Sequence, residues 1–498
     1  MFSPNLEEVK EIAENNEYKR IPVSYELFSD MATPIEVLRI LKGISRHTYM
    51  LESVEDSKKW GRYTFLGFDP LLEVTCQDGI VKIRGDEDFN ELTDDEQVIE
   101  TDKPNEIIKE LVLKNKSPKI KSLPPFTGGF VGYFAYDYIK YQEPSLNLDA
   151  ENQDQFKDID LMLFDKVIAF DNFKQKIILI VNMKTDDLEK NYEKACSDLK
   201  EIANLIKNGE RIDIAPLELK SDFKPVFSKE RFCDMVEKAK NYIYEGDIFQ
   251  VVLSNKIEAD ISGSLFDTYR VLRTTNPSPY MFYFSSDDIE IAGASPETLV
   301  KLNNDKLYTF PLAGTRPRGK TDEEDEELEH DLLSDEKELA EHNMLVDLGR
   351  NDIGRIAEIG SVKVEKYLSI ERFSHVMHIG STVTGTLRKD LDSLAAIDSI
   401  LPAGTLSGAP KIRACEIINE LEDNKRGIYG GAIGYVDLSG NIDTCISIRI
   451  AFSRNGKVFI RSGAGVVADS VPEKEFEECL NKAAAVIDAL KIADGGLE

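Results

Sequence analysis

DLLSDEKELAEHNMLVDLGRNDIGR (residues 331–355) is the stretch on which the reading of the chain turns. On a 3.6-residue period Glu338, Glu341, Leu345 and Leu348 fall on one stripe, so two acids share a face with two leucines. An apolar stripe points inward, and carboxylates buried without partners are costly, so a cation is expected opposite them. The closing stretch SVPEKEFEECLNKAAAVIDAL (residues 470–490) repeats the arrangement. Pro472 suits the first helical position and Ser470 or Asp469 the cap, while Phe476, Leu480, Ala483, Ile487 and Leu490 form the packing stripe. Glu475, Glu478 and Lys482 share another face. Each acid pair alone reads as solvated carboxylates in an acid-rich chain; the two together offer the hard oxygen ligands that Mg²⁺ prefers. A di-iron centre fits worse, because it wants a repeated Glu-x-x-His and only His342 adjoins an acid pair.

At 498 residues the chain has room for two domains or one elaborated one, with apolar content ample for a core. Its formal charge of −30 argues against nucleic acid or an anionic membrane as partner, and an anionic ligand would need a local cation to receive it. No apolar run reaches spanning length, and MFSPNLEEVKEIAENNEYKR lacks the basic start and apolar centre of a signal peptide, so a cytoplasmic protein is expected. Cys76, Cys196, Cys233, Cys415, Cys445 and Cys479 are scattered without C-x-x-C spacing, which suggests reduced, mostly buried thiols.

From Ile21 to about Ile180 short β-branched and aromatic runs dominate, among them RYTFLGF, LLEVTC and GGFVGYFAY. Asp186 to Lys207 reads as an amphipathic helix, and residues 208–225, with mixed charge and two prolines, as the boundary between a region 1–215 and a region 225–492. Beyond it Ser228 caps a helix that Gly246 ends. Strands then alternate with helices to the C-terminus. The pattern predicts an α+β protein with large antiparallel sheets packed face to face and helices outside. TDEEDEELE (residues 321–329) reads as a solvated loop or helix start, and the basic GTRPRGK matches no phosphate-binding fingerprint.

Seven motifs in order, ASPETLV, PLAGTRPRG, DLGRNDIGR, HVMHIGSTV, LPAGTLSGAPK, GIYGGAIGY and SGAGVVADSVPEKEFEE, resemble the chorismate-utilising enzymes, and most closely the anthranilate synthase component I family. The strong resemblance spans roughly Phe227 to Leu490, with a weaker signature at MLES, GRYTFLG and GGFVGYFAYD. It implies a chorismate-binding fold, with 225–492 as the catalytic domain and 1–215 as an N-terminal region carrying a tryptophan motif. It also implies an enzyme that converts chorismate and ammonia to anthranilate and pyruvate with Mg²⁺. By resemblance Glu341 and Glu478 ligate the metal, with Glu338 and Glu475 one turn away. Arg449 receives the enolpyruvyl carboxylate, aided by the backbone of Gly463, Ala464 and Gly465. Lys482 and Tyr429 are further substrate contacts, and Gly314 and Thr315 line the ring. Glu297 is the candidate general acid, and His378, rather than His375, assists pyruvate departure and aromatisation.

Gln250 stands where sister enzymes carry a water-activating lysine, and Ala313 where aminodeoxychorismate synthase carries the lysine of PIKGT; both substitutions point to anthranilate. With no cysteine in a G-x-C-x-G setting, ammonia is expected from a separate glutamine amidotransferase subunit. The resemblance also implies feedback inhibition by L-tryptophan, at Glu52, Ser53, Pro279, Tyr280, Met281, Gly434 and Tyr435. Alternatives are an aminodeoxychorismate synthase component and a non-catalytic tryptophan-binding regulatory protein.

Overall fold

In the strand Ile159–Phe164 every side chain is buried, and alternation sorts them onto two faces. Ile159, Leu161 and Leu163 pack beneath helices, whereas Met162 and Phe164 enter the space between two sheets. The same period operates in Lys176–Lys184, where Ile177, Leu179 and Val181 meet helices and Ile178 and Ile180 meet the opposite sheet. A sheet that is apolar on both faces needs a layer on each side. The computed structural model, which describes residues 2–14, 16–53, 61–86, 91–372 and 376–497, supplies them. A 14-stranded and a 12-stranded antiparallel sheet face each other across an aromatic-rich core that includes Tyr49, Phe126, Phe164, Phe282 and Phe452, with helices on both outer faces.

Strands from either side of residues 208–225 join within the same sheets. Thr48–Glu52 pairs with Tyr280–Ser285 in the larger sheet, and Gly129–Phe134 with Ala432–Asp437 in the smaller. One two-stranded ribbon belongs to both sheets. Glu290–Ser295 pairs with Ile450–Arg454 in the larger sheet, and their continuations, Thr298–Asn303 and Ile442–Ile446, pair in the smaller. The bend falls at residues 296–297 and 447–449. Ser295 Oγ donates to Ile446 O at 2.7 Å, Ile446 N to Glu297 O at 2.9 Å and Ala294 N to Arg449 O at 3.1 Å, so the backbone groups freed by the bend are satisfied.

The helix Lys229–Glu245 is capped by Ser228 and ends at left-handed Gly246, as its sequence predicts. The acid stretch is two helices, not one. Asp322–Ser334 ends before Asp335, whose side chain accepts from Lys337 N and Glu338 N and starts Glu336–Gly354. The C-terminal helix Pro472–Ala493 has Val471 at its cap position; Ser470 instead accepts from Val467 N. The basic GTRPRGK segment is neutralised from the acidic helix, with Arg316 on Asp331 and Asp335 and Arg318 on Asp325. All six cysteines are free, and no described helix is long and apolar enough to cross a membrane.

Gly132 lies in the central strand Gly129–Phe134 with φ +154°, and a Cβ there would stand 2.0 Å from Asp160 O. In urea denaturation Gly132→Ala is expected to remove about 3 kcal/mol or more of stability, and a loss below about 0.5 kcal/mol would show that the strands can part without cost.

Candidate active site

Glu297 and Arg449 occupy the two bends of the shared ribbon. Thr405 Oγ1 donates to Glu297 Oε1 at 3.2 Å, and the side chain borders a cavity of about 40 Å³ whose other walls include Leu345, Leu348 and Asp352 of the acid helix. Although half-buried as a residue, Glu297 has its carboxyl pushed up to about 8 by desolvation, against the opposing pull of the Thr405 hydroxyl and the Lys482 charge. At neutral pH it therefore holds a proton. Arg449 adopts φ +54°, a left-handed setting rare outside glycine, and among the described residues no carboxylate pairs with it. Burial lowers its pKa, opposed by Tyr429. A desolvated guanidinium without an acid partner is a ready receptor for a carboxylate.

His378 sits on Val376–Thr386 opposite Thr315 of Leu312–Pro317, where Gly314 is the extra residue of a bulge with φ +71°. The bulge brings Gly314 O to 2.9 Å and Thr315 Oγ1 to 3.0 Å from His378 Nδ1. A carbonyl only accepts, so the neutral ring carries its proton on Nδ1 and Nε2 is the basic nitrogen. Desolvation holds the imidazole below its usual pKa; the Gly314 bond opposes this and the Arg449 charge adds to it. His375 lies outside the described residues.

Gly463, Ala464 and Gly465 belong to Lys457–Val466, paired along Gln250–Ser262. A Cβ at Gly463 would meet Leu253 O at 2.9 Å and the Tyr429 hydroxyl at 3.0 Å, and one at Gly465 would meet Gln250 Nε2 at 2.7 Å. The wall is thus open to close backbone approach only because these positions lack side chains. Lys482 Nζ donates to Gly463 O at 3.1 Å and pairs with Glu478 at 2.7 Å.

The two acid helices converge. Desolvation raises the Glu341 pKa, and the charges of Glu338 and Glu478 raise it further, against Lys337 and Lys482. Desolvation and Glu478 likewise raise Glu475, opposed first by a hydrogen bond from Ser470. A Cβ on Gly314 would come within 3.1 Å of Glu338 Oε2, which sets the acid helix against the bulged strand Leu312–Pro317 that pairs with the histidine strand. Among the described residues no three acid, cysteine or histidine side chains are gathered closely enough to hold a metal ion. The donor chemistry nevertheless fits a hard cation: carboxylates from two helices repel one another, and among the described residues Lys482 alone pairs with one of them.

A second cavity, of about 80 Å³, is lined by Glu52, Ser53, Pro279, Tyr280, Met281, Gly434 and Tyr435 together with Lys301 and Asp443. Glu52 is held by both nitrogens of an Arg273 fork and by Tyr269 Oη at 2.6 Å. Tyr280 Oη lies 2.8 Å from Asp443 and 2.9 Å from Thr298 Oγ1, one residue from Glu297. Lys301 and Asp443, an ion pair at 2.6 Å, carry no sequence signal. Thr405 lies inside LPAGTLSGAPK, where its place in the motif was the only pointer. A larger cleft, about 780 Å³ beside Leu188–Asn208, contains none of the candidate residues.

A family model described as chorismate binding enzyme matches residues 53–488. Anthranilate synthase component 1 of Acetivibrio thermocellus is 46% identical over 501 residues, covering 99% of each chain, and that of Aquifex aeolicus is 45% identical, also covering 99% of each. The crystal structure of anthranilate synthase component I from Streptococcus pneumoniae TIGR4 matches with TM-score 0.74 and 37% identity, over 92% of this chain and 98% of that one.

The Glu297 carboxyl is expected to titrate with a midpoint near 8 in isotope-edited infrared spectra. Thr405→Val, which removes a bond that favours the ionised form, moves the midpoint upward. A midpoint near 4.5 would mean that the carboxyl is solvated.

Proposed function

Because the chain belongs to the chorismate-binding enzymes and, within them, to the anthranilate synthase component 1 family, we propose that it is the aminase subunit that makes anthranilate for tryptophan biosynthesis. The observation that carries the reading is the placement of Glu297, whose desolvated carboxyl is pushed up to about 8, and Arg449 at the two bends of one ribbon, with the Arg449 charge also felt by His378 on Val376–Thr386.

Chorismate enters as a dianion. Arg449 and the backbone of Gly463, Ala464 and Gly465 receive the enolpyruvyl carboxylate, with Lys482 and Tyr429 as further contacts, while Gly314 and Thr315 border the ring. Glu341 and Glu478, with Glu338 and Glu475 one turn away, would hold the Mg²⁺ that neutralises the ring carboxylate.

Ammonia forms a bond to C2, the ring double bonds shift, and the C4–O bond breaks. Glu297 gives its proton to the departing hydroxyl, which leaves as water. His378 Nε2 is suited to take the C2 proton as the C3–O bond breaks and enolpyruvate departs, and that proton returns to the enolpyruvate methylene to give pyruvate, leaving the aromatic amine. The amide of Gln250 cannot activate water as a lysine amine can, which supports nitrogen rather than oxygen as nucleophile. A glutamine amidotransferase subunit supplies the ammonia. L-Tryptophan inhibits by occupying the cavity bounded by Glu52, Ser53, Pro279, Tyr280, Met281, Gly434 and Tyr435.

With chorismate, ammonium chloride and Mg²⁺ the isolated chain is expected to produce anthranilate fluorescence, and glutamine in place of ammonium to give none without a partner. Glu297→Gln should lower kcat by about 10²–10⁴-fold. Formation of aminodeoxychorismate, or full activity of the variant, would overturn the reading. Ser53→Phe fills the effector cavity and should raise the tryptophan concentration for half-inhibition by about tenfold or more with kcat retained; an unchanged inhibition curve would remove the cavity from regulation.

A further inference from the structure

Glu422, Arg426 and Arg461 are each no more than 2% exposed, yet all three are charged. They form one hydrogen-bonded cluster. Glu422 Oε1 accepts from Ser254 N at 2.8 Å, from Ser254 Oγ at 3.0 Å and from Arg426 Nη2; Oε2 accepts from Arg426 Nε at 2.9 Å and Arg461 Nη2 at 2.6 Å. Arg461 also donates to Ser254 Oγ at 2.8 Å and Lys425 O at 3.1 Å. The two guanidinium groups hold the Glu422 carboxyl below its usual range against desolvation.

A buried ionic cluster is weak evidence for stability, since apolar residues of similar volume often serve as well. What distinguishes this one is where its remaining donors go. Arg426 Nη1 donates to Leu406 O and Nη2 to Val252 O, both at 2.6 Å, and its guanidinium lies over Tyr136 at 4.5 Å and beside Tyr429 at 5.9 Å. Leu406 follows Thr405, the donor to Glu297. Val252 pairs with Gly465 and Ser254 with Gly463, so both ends of the substrate wall are fixed to the same cluster. One planar fork therefore joins the acid's hydrogen-bond donor, the carboxylate wall and Tyr429.

We infer that the Glu422–Arg426–Arg461 cluster is the positioning frame of the active site, with Arg426 setting, through the Leu406 carbonyl, where the Thr405 hydroxyl stands against Glu297. The inference rests on the proposed aminase reading. Arg426 touches no reacting atom; it acts through Thr405. A lysine has one nitrogen and cannot span Leu406 O, Val252 O and both Glu422 oxygens. Other charged groups that bear on these residues are Lys482, which acts on Glu297, Asp352 on the wall of the same cavity, and Asp137, which accepts from Gly427 N and adjoins Arg461.

The test compares Arg426→Lys, Arg461→Lys and Thr405→Val with wild type in the ammonia-dependent reaction. Arg426→Lys is expected to lower kcat by about tenfold or more with the chorismate KM changed less than about threefold. It should also move the alkaline limb of the pH profile upward, as Thr405→Val does, because both weaken a bond that favours ionised Glu297. Arg461→Lys, which does not reach Leu406, should leave that limb in place. An unmoved limb in Arg426→Lys, or an equal shift in Arg461→Lys, overturns the inference. If Arg426→Lys does not fold, Glu422→Gln is read in the same way; failure of both to fold assigns the cluster to stability and overturns it too. Wild type that makes no anthranilate would overturn the functional reading instead, and the infrared midpoint of Glu297 would then test the frame alone.

Discussion

The ribbon that changes sheets is the constraint on which the site depends. In sheets with both faces buried a polar side chain in mid-strand lies in the core, where it costs several kcal/mol unless it is paired as Arg461 is. Where Glu290–Ser295 and Ile450–Arg454 leave one sheet and continue as Thr298–Asn303 and Ile442–Ile446 in the other, the ladder opens between the layers. The opened backbone finds partners in Ser295 Oγ, Ile446 and Arg449, and two side chains gain access to a space that is neither core nor surface. That space is where Glu297 is desolvated and where left-handed Arg449 lies without a carboxylate partner among the described residues.

Electrostatics then does more than sequence charge suggests. A chain of net charge −30 is a poor host for a dianion unless its acids are discharged or matched locally. Desolvation keeps Glu297 protonated near neutral pH, so it adds no repulsion and carries the proton that the proposed reaction asks of it. Arg449 provides positive charge at the ribbon bend, Lys482 pairs with Glu478, and the mutual repulsion of Glu341, Glu475 and Glu478 favours a further cation there. His378 is held neutral by the same desolvation and oriented by a carbonyl that only the bulge at Gly314 could bring to it.

Much of this was legible in residue order. Alternation placed the strands, and Ser228 and Gly246 marked a helix whose ends fall where they stand. The paired acids on residues 331–355 and 470–490 pointed to convergence; in the structure the charges of Glu478 and Lys482 bear on Glu341, while no three such side chains gather closely enough among the described residues to hold a metal ion. Asp335 was missed because residues 331–355 were read as a single helix, although an Asp three residues before a Glu is a capping pattern. The sheet exchange was not legible, since a period-two pattern tells which face a residue uses and not to which sheet that face belongs. The Glu422 cluster was invisible for another reason: charged residues up to 39 positions apart in sequence read as surface until packing closes over them.

The same ribbon ends at the proposed effector cavity, and on that proposal catalysis and control share one pair of strands. Thr298 follows Glu297 and bonds Tyr280, a wall of that cavity; Asp443, three residues before Ile446, bonds the same hydroxyl and Lys301. Ile446 N in turn holds the Glu297 carbonyl. A ligand in the cavity needs only a different affinity for two settings of this ribbon to change the population in which Glu297 meets substrate. No long chain of intermediaries is required, because the residue that would feel the effector and the residue proposed to donate the proton are neighbours on one bent pair of strands.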